Sequence, residues 1–160
     1  MKLHVATFAL LLTACSAPPV EEQVARARAG LTIVSEGPDK LRIEAPASTL
    51  ARRLDRRLID AFLERVQAEV LRTGAAGFRF EQLGERKTTS RASFDGVVKS
   101  STLVDREIVA VVMLRRNEPL PKGFFSPTDM NTAVQHYTIS RQNEIMRNAL
   151  ATRLKRKGTE

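Results

Sequence analysis

One cysteine, Cys15, occurs in the 160 residues, tryptophan is absent, tyrosine appears once, and histidine appears only as His4 and His136. A lone cysteine cannot close an intramolecular disulfide, so the fold must stand on its core. Zinc needs three or four converging histidine, cysteine or carboxylate ligands, a set this composition does not supply, and we expect neither a metal centre nor a cofactor. Serine-type catalysis needs a base beside the hydroxyl. His136 lies between Gln135 and Tyr137 in a predicted helix and reads as an ordinary helix residue. No phosphate-binding loop is present, because the glycines at 74 and 77 are not followed by the lysine and hydroxyl residue such a loop requires. The carboxylate pairs Asp55/Asp60 and Glu64/Glu69 sit in an arginine-studded segment and read as solvated ion pairs. We therefore expect no catalytic residues and no enzyme.

Long hydrophobic runs are missing too. The run Ile108 to Leu114 suits a strand covered on both faces, and a membrane helix would need about 20 apolar residues. At the amino end, Lys2 precedes the apolar stretch Val5-Ala6-Thr7-Phe8-Ala9-Leu10-Leu11-Leu12, which has the short core of an export signal.

The residues Leu12-Thr13-Ala14-Cys15 resemble the lipobox of bacterial lipoproteins: an aliphatic residue, two small residues, then cysteine. The resemblance covers the leader alone. It implies that residues 1–14 are removed, that Cys15 becomes the first mature residue, and that its thiolate takes up lipid. One acyl chain binds a bilayer only marginally, whereas two or three on one residue make a lasting anchor. Ser16 follows Cys15 where an aspartate is associated with retention in the inner membrane, so the expected location is the outer membrane facing the periplasm, with the inner membrane and the cell surface as alternatives.

Basic residues number 26 against 18 acids, a formal charge of +8, and loss of Lys2 with the leader lowers this to +7. Such a surface attracts anionic lipid or phosphate-bearing glycolipid. Nucleic acid is an equal match in charge, but export argues against it.

Residues 15–29 are expected to form the lipidated cysteine and a flexible tether, and residues 30–160 a single α+β domain. A hairpin is predicted around Gly37-Pro38-Asp39. From Ser48 to Thr73, apolar residues recur every fourth position (Leu50, Leu54, Leu58, Phe62, Val66, Val70), which predicts a long amphipathic helix capped by Ser48. Strands are expected at 78–81, 91–104 and 108–114, with charged turns at 84–87 and 105–106. A second helix is expected from Ser126, with a break near 138–140. The expected fold is a small antiparallel or mixed sheet with two amphipathic helices packed on one face.

Two basic groups stand out. Arg52, Arg53, Arg56 and Arg57 crowd two predicted helical turns, and Arg153, Lys155, Arg156 and Lys157 end the chain. Each is either a solvated face or a surface for anionic lipid, glycolipid phosphate or an acidic partner. Phe124-Phe125, in a proline-rich loop, is a candidate partner contact. The functional expectation is a membrane-anchored envelope lipoprotein: a non-enzymatic accessory, assembly or tethering subunit of an envelope complex, with a protein partner. The alternative is a lipid- or glycolipid-binding module. The order of lipobox, helix, strands and basic terminal helix resembles the lipopolysaccharide-assembly lipoproteins that plug an outer-membrane translocon, a likeness of architecture alone.

Overall fold

The computed structural model describes residues 17–51, 53–94 and 97–157, and of residues 91–94, 97–101 and 149–157 the backbone alone. Three helices lie on a four-stranded antiparallel sheet. In chain order the elements are α1 (Val20–Ala29), β1 (Thr32–Gly37), β2 (Lys40–Pro46), α2 (Arg56–Arg72), β3 (Gly77–Phe94), β4 (Val97–Arg115) and α3 (Met130–Lys157). The α+β class is as expected, with one helix more. Across the sheet the order is β1-β2-β4-β3, so the last strand in sequence lies inside.

Residues 20–29, expected as tether, instead form α1 and pack into the body. The helix escapes periodicity because what it buries is small or polar: Ala27, which joins the core, and Gln23, whose Nε2 donates to the Pro18 carbonyl at 2.7 Å. Glu21 and Glu22 in its first turn and Arg26 and Arg28 in its last suit the helix dipole.

The α2 helix begins later than Ser48. Asp55 is its N-cap, its carboxylate accepting from the Arg57 N–H at 2.8 Å. Leu50 continued the four-residue series but is 55% exposed and lies before the helix. Leu58, Phe62, Val66 and Val70 form the buried stripe as expected.

The charged segments 84–87 and 105–106 are not turns. They lie within β3 and β4, which pair from Gly77↔Arg115 to Phe94↔Val97 as one long hairpin. Arg106, placed in a turn by its charge, is 1% exposed and faces the helices. Its guanidinium donates to the carbonyls of Ser48 (3.1 Å) and Ala51 and to Glu85 Oε1 (2.7 Å), which ties the chain between β2 and α2 to the sheet. The α3 helix runs unbroken from Met130 to Lys157, with no interruption at 138–140.

Strand alternation gives the sheet two unlike faces. Ile43, Phe78, Phe80, Ile108, Ala110, Val112 and Leu114 point to the helices and form the core with α2, Ala27, Met130 and Ala133. Among the described residues no helix contributes to the other face, yet Val109 and Val111 there are 1% and 4% exposed. Long charged side chains roof them. Arg86 on β3 reaches over β4 to Glu44 on β2 (3.0 Å) and pairs with Glu107 (2.5 Å), while Lys40 on β2 reaches Glu81 on β3 (2.8 Å). Arg42 adds a charge contact to Glu36 at 2.5 Å that is not aligned as a hydrogen bond from Nε. Hydrogen bonding to Glu81 and Glu107 holds the Lys40 ammonium and the Arg86 guanidinium above their ordinary pKa values. The aliphatic stems of these residues supply the apolar cover.

Candidate functional site

Cys15 and Arg52 lie outside the described residues, as do the side chains of Arg153, Lys155, Arg156 and Lys157, whose backbone is helical. Among the arginines expected to crowd two helical turns, Arg53 precedes α2 and only Arg56 and Arg57 lie in it. Both are paired. Arg57 meets Glu21 of α1 at 2.9 Å and Asp55 at 3.6 Å, and Arg56 meets Asp60 at 3.7 Å. At Arg56 and Arg57 the positive cluster seen in sequence is thus offset by acids, one of them from the segment expected as tether, while Arg53 has no described carboxylate within 4 Å.

Phe124 and Phe125 are both half-buried. Phe125 packs against the core and bridges to β3, exchanging N–H···O bonds of 2.8 Å with Phe78 in both directions. Phe124 lies under the Arg79 guanidinium, whose carbon is 5.2 Å from the ring centroid. The chain can seat both aromatics because the loop crosses the β3 edge at close range. A Cβ on Gly77 would stand 2.5 Å from the end of the Leu120 side chain and 3.1 Å from the Phe125 carbonyl oxygen, so a larger residue there would make Leu120 shift.

That crossing builds a cleft of about 570 Å³ between the edge of β3, the 122–125 segment and the first turns of α3. Arg79, Glu81, Lys122, His136, Tyr137 and Ser140 are its polar lining residues, with Phe80 and Phe125 beside them. The Pro121 carbonyl accepts from the Phe124 N–H at 3.0 Å, and Gly123 has a φ of +84°. This tight turn needs glycine at its third position and sets Lys122-Gly123 beside His136, whose Cε1 lies 3.7 Å from where a Cβ on Gly123 would stand. The His136 ring in turn lies 5.2 Å from that of Phe125. Glu81 is engaged by Lys40.

The cleft continues along β3 and α3 into a groove of about 710 Å³ flanked by Glu85, Arg141, Glu144 and Arg147. Its charges are largely matched. Arg141 donates to Glu144 at 2.6 Å, which raises its pKa. At Glu85 burial pushes the carboxyl up, but hydrogen bonds from Arg106 and Lys87 outweigh it and hold the group below its ordinary value.

On the other side of α2, a groove of about 520 Å³ separates it from α1. Val24, Leu31, Ile33, Leu58 and Phe62 line it, with Arg28 and Arg65 among its polar residues. Beyond Thr138, α3 leaves the core: every described side chain from Ile139 to Asn148 is exposed, Ile139, Ile145 and Met146 by 58–63%. Its 28 residues span about 42 Å, and from Ile139 as far as Arg147 it flanks β3 across the 710 Å³ groove without burying a side chain.

Comparison with protein-family models, with curated proteins and with solved structures returned no match. Among the described residues no group of three or more metal-ligating side chains converges, and no helix is long and apolar enough to cross a membrane. Sequence reasoning missed Arg79 and Lys122. No spacing signal could have joined them to His136, since the three come from a strand, a loop and a helix.

Proposed function

We propose that this protein is an envelope lipoprotein, held at a membrane through lipid on Cys15, which serves as a non-enzymatic accessory or tethering subunit of an envelope complex. The observation that carries the reading is the sequence Leu12-Thr13-Ala14-Cys15 behind a short apolar leader. Two features of the fold support it. Only Ser16 to Pro19 separate Cys15 from α1, a link that reaches at most about 14 Å, so an anchored body would sit close to the lipid surface. Beyond Thr138, α3 leaves Ile139, Ile145 and Met146 exposed among charged and amide residues, apolar contacts open to a partner. The proposed location is the outer membrane, facing the periplasm.

The test is metabolic labelling with a fatty acid, followed by fractionation. The wild-type chain is expected to take up label and sediment with membranes. The Cys15→Ala variant is expected to retain its leader and take up no label. Equal labelling of the two chains overturns the reading. A companion crosslinking experiment, with a photoreactive residue at position 145, is expected to capture an envelope protein that the same residue at position 53 does not.

A further inference from the structure

Three parts of the chain leave the body at one end of the sheet. β2 stops at Pro46, opposite Glu107, while β3 and β4 run on together from Thr88↔Asp105 to Phe94↔Val97 with no other strand beside them among the described residues. At about 3.3 Å per residue this two-stranded arm reaches about 23 Å past the body. The α3 helix points the same way. Its Tyr137 ring lies 6.2 Å from that of Phe80, and Arg141, Glu144 and Arg147 share a groove with β3 residues as far as Glu85. The ten residues from Asn148 to Lys157 then carry the helix about 15 Å further. The chain also enters α1 at this end. Arg106, at the root of the arm, binds the carbonyls of Ser48 and Ala51 just before α2, and Arg57 in the first turn of α2 pairs with Glu21 in the first turn of α1. Cys15 lies six residues before Glu21.

Positive charge collects at the same end. Arg153, Lys155, Arg156 and Lys157 place four cations in the last five residues of α3, against one acid, Glu160, in the three residues that follow. Successive helix positions are turned by about 100°, so these four are spread round the axis and the terminal turn is positive whichever side is approached. They outweigh the roughly half-unit negative charge of a helix C-terminus. Arg53, beside the start of α2, has no described carboxylate within 4 Å. On the arm, Arg91 and Lys99 are matched in number by Asp95 and Asp105.

We propose that this end of the molecule docks on a bilayer of anionic phospholipid, with the terminal turns of α3 among the headgroup phosphates. Docking of this kind deepens the reading of the protein as a lipoprotein and rests on lipid at Cys15, because the anchor selects the end that meets the membrane. Ser16 to Pro19 reach at most about 14 Å, less than the arm and about the length by which α3 overhangs, so a body held by that tether brings both to the surface. Each cation close to an anionic surface strengthens binding about fivefold, an attraction that fades within a Debye length of about 8 Å in physiological salt. An acidic protein would satisfy the same charges, but lipid is what the anchor brings to this end.

The test uses the full chain, purified from membranes and reconstituted in vesicles whose headgroups carry a nitroxide quencher. Lipid on Cys15 leaves an introduced cysteine as the sole free thiol. A fluorophore is attached through Thr152→Cys in α3, or through Lys122→Cys in the loop whose Leu120 packs beside Gly77 at the far end of the sheet. In phosphatidylcholine containing phosphatidylglycerol, the label at 152 is expected to be quenched and the label at 122 is not. Quenching at 152 should be lost in phosphatidylcholine alone, in about 1 M salt, where the Debye length falls to about 3 Å, and in a Lys155→Gln, Arg156→Gln double variant, while the anchor keeps every chain on the vesicles. Unchanged circular dichroism establishes that the variants fold. Equal quenching at 122 and 152 overturns the proposal, as does quenching at 152 that ignores lipid charge, salt and the double variant. An unquenched label at 152 in anionic vesicles overturns it too and directs the cations to an acidic protein. The mass of the purified chain separates the two readings: a lipidated chain that fails these tests removes the docking alone, whereas a chain with no lipid on Cys15 removes both.

Discussion

The two faces of the sheet bury valine equally well by opposite means. Val112 faces α2 and the aromatic side chains and is fully buried, and Val109 on the bare face is 1% exposed. One is covered by a helix and the other by the stems of arginine and lysine pinned by carboxylates. What removes water from a side chain is a close layer of carbon, whichever residues carry it. The two covers differ in how they are held. Packing fixes the helices, while the roof depends on ion pairs whose heads stand in solvent, where each pair alone contributes little.

The sharpest way to break this comparison is to truncate both valines. Val112→Ala and Val109→Ala should each cost about 2 kcal/mol in urea unfolding, the loss of two methyl groups plus a cavity. A Val109→Ala variant as stable as wild type would show that the roof does not exclude water. A smaller effect tests what the roof is made of. Arg86→Ala removes both the stem and the pairs to Glu44 and Glu107 and should lower the melting temperature, whereas Arg86→Met keeps most of the stem and should restore most of the loss. If methionine behaves like alanine, the charges and not the carbon hold the face together. The smallest expected effect lies on the helix side. The Glu85 carboxyl is held below its ordinary value of 4.5 by Arg106 and Lys87, so its contribution is present at neutral pH and is lost as pH falls from about 4.5 through the lower native value. Glu85→Gln should therefore reduce the acid sensitivity of stability in that window, and an unchanged pH profile would rule out this role.

Legibility in the sequence followed how each element buries itself. The α2 helix was read correctly over its buried stripe, Leu58 to Val70, because a wide apolar face leaves a strong period; its start was placed early because Leu50 continues that period without being buried. The α1 helix leaves little apolar period in the sequence because its buried positions are Gln23 and Ala27 and its other core contact, Val24, is only partly buried. The long hairpin was cut at 84–87 and 105–106 because charge reads as turn, when those charges answer one another across strands. Of the candidate cleft, the sequence showed His136 and the two phenylalanines but not their assembly. The loop that carries the phenylalanines is tied to β3 by the Phe78–Phe125 backbone pair, a contact between residues far apart in the chain.

The strand order also governs the sequence of events in time. Because β4 lies between β2 and β3, residues 40–46 pair with β1 early but gain their second neighbour only when residues 107–113 have been made. Until then the sheet is the β1-β2 hairpin alone, which is not stable by itself and has only α1 and α2 to pack against. Closure of the sheet thus waits for β4, the last of the four strands to be made and one of the two that lie inside.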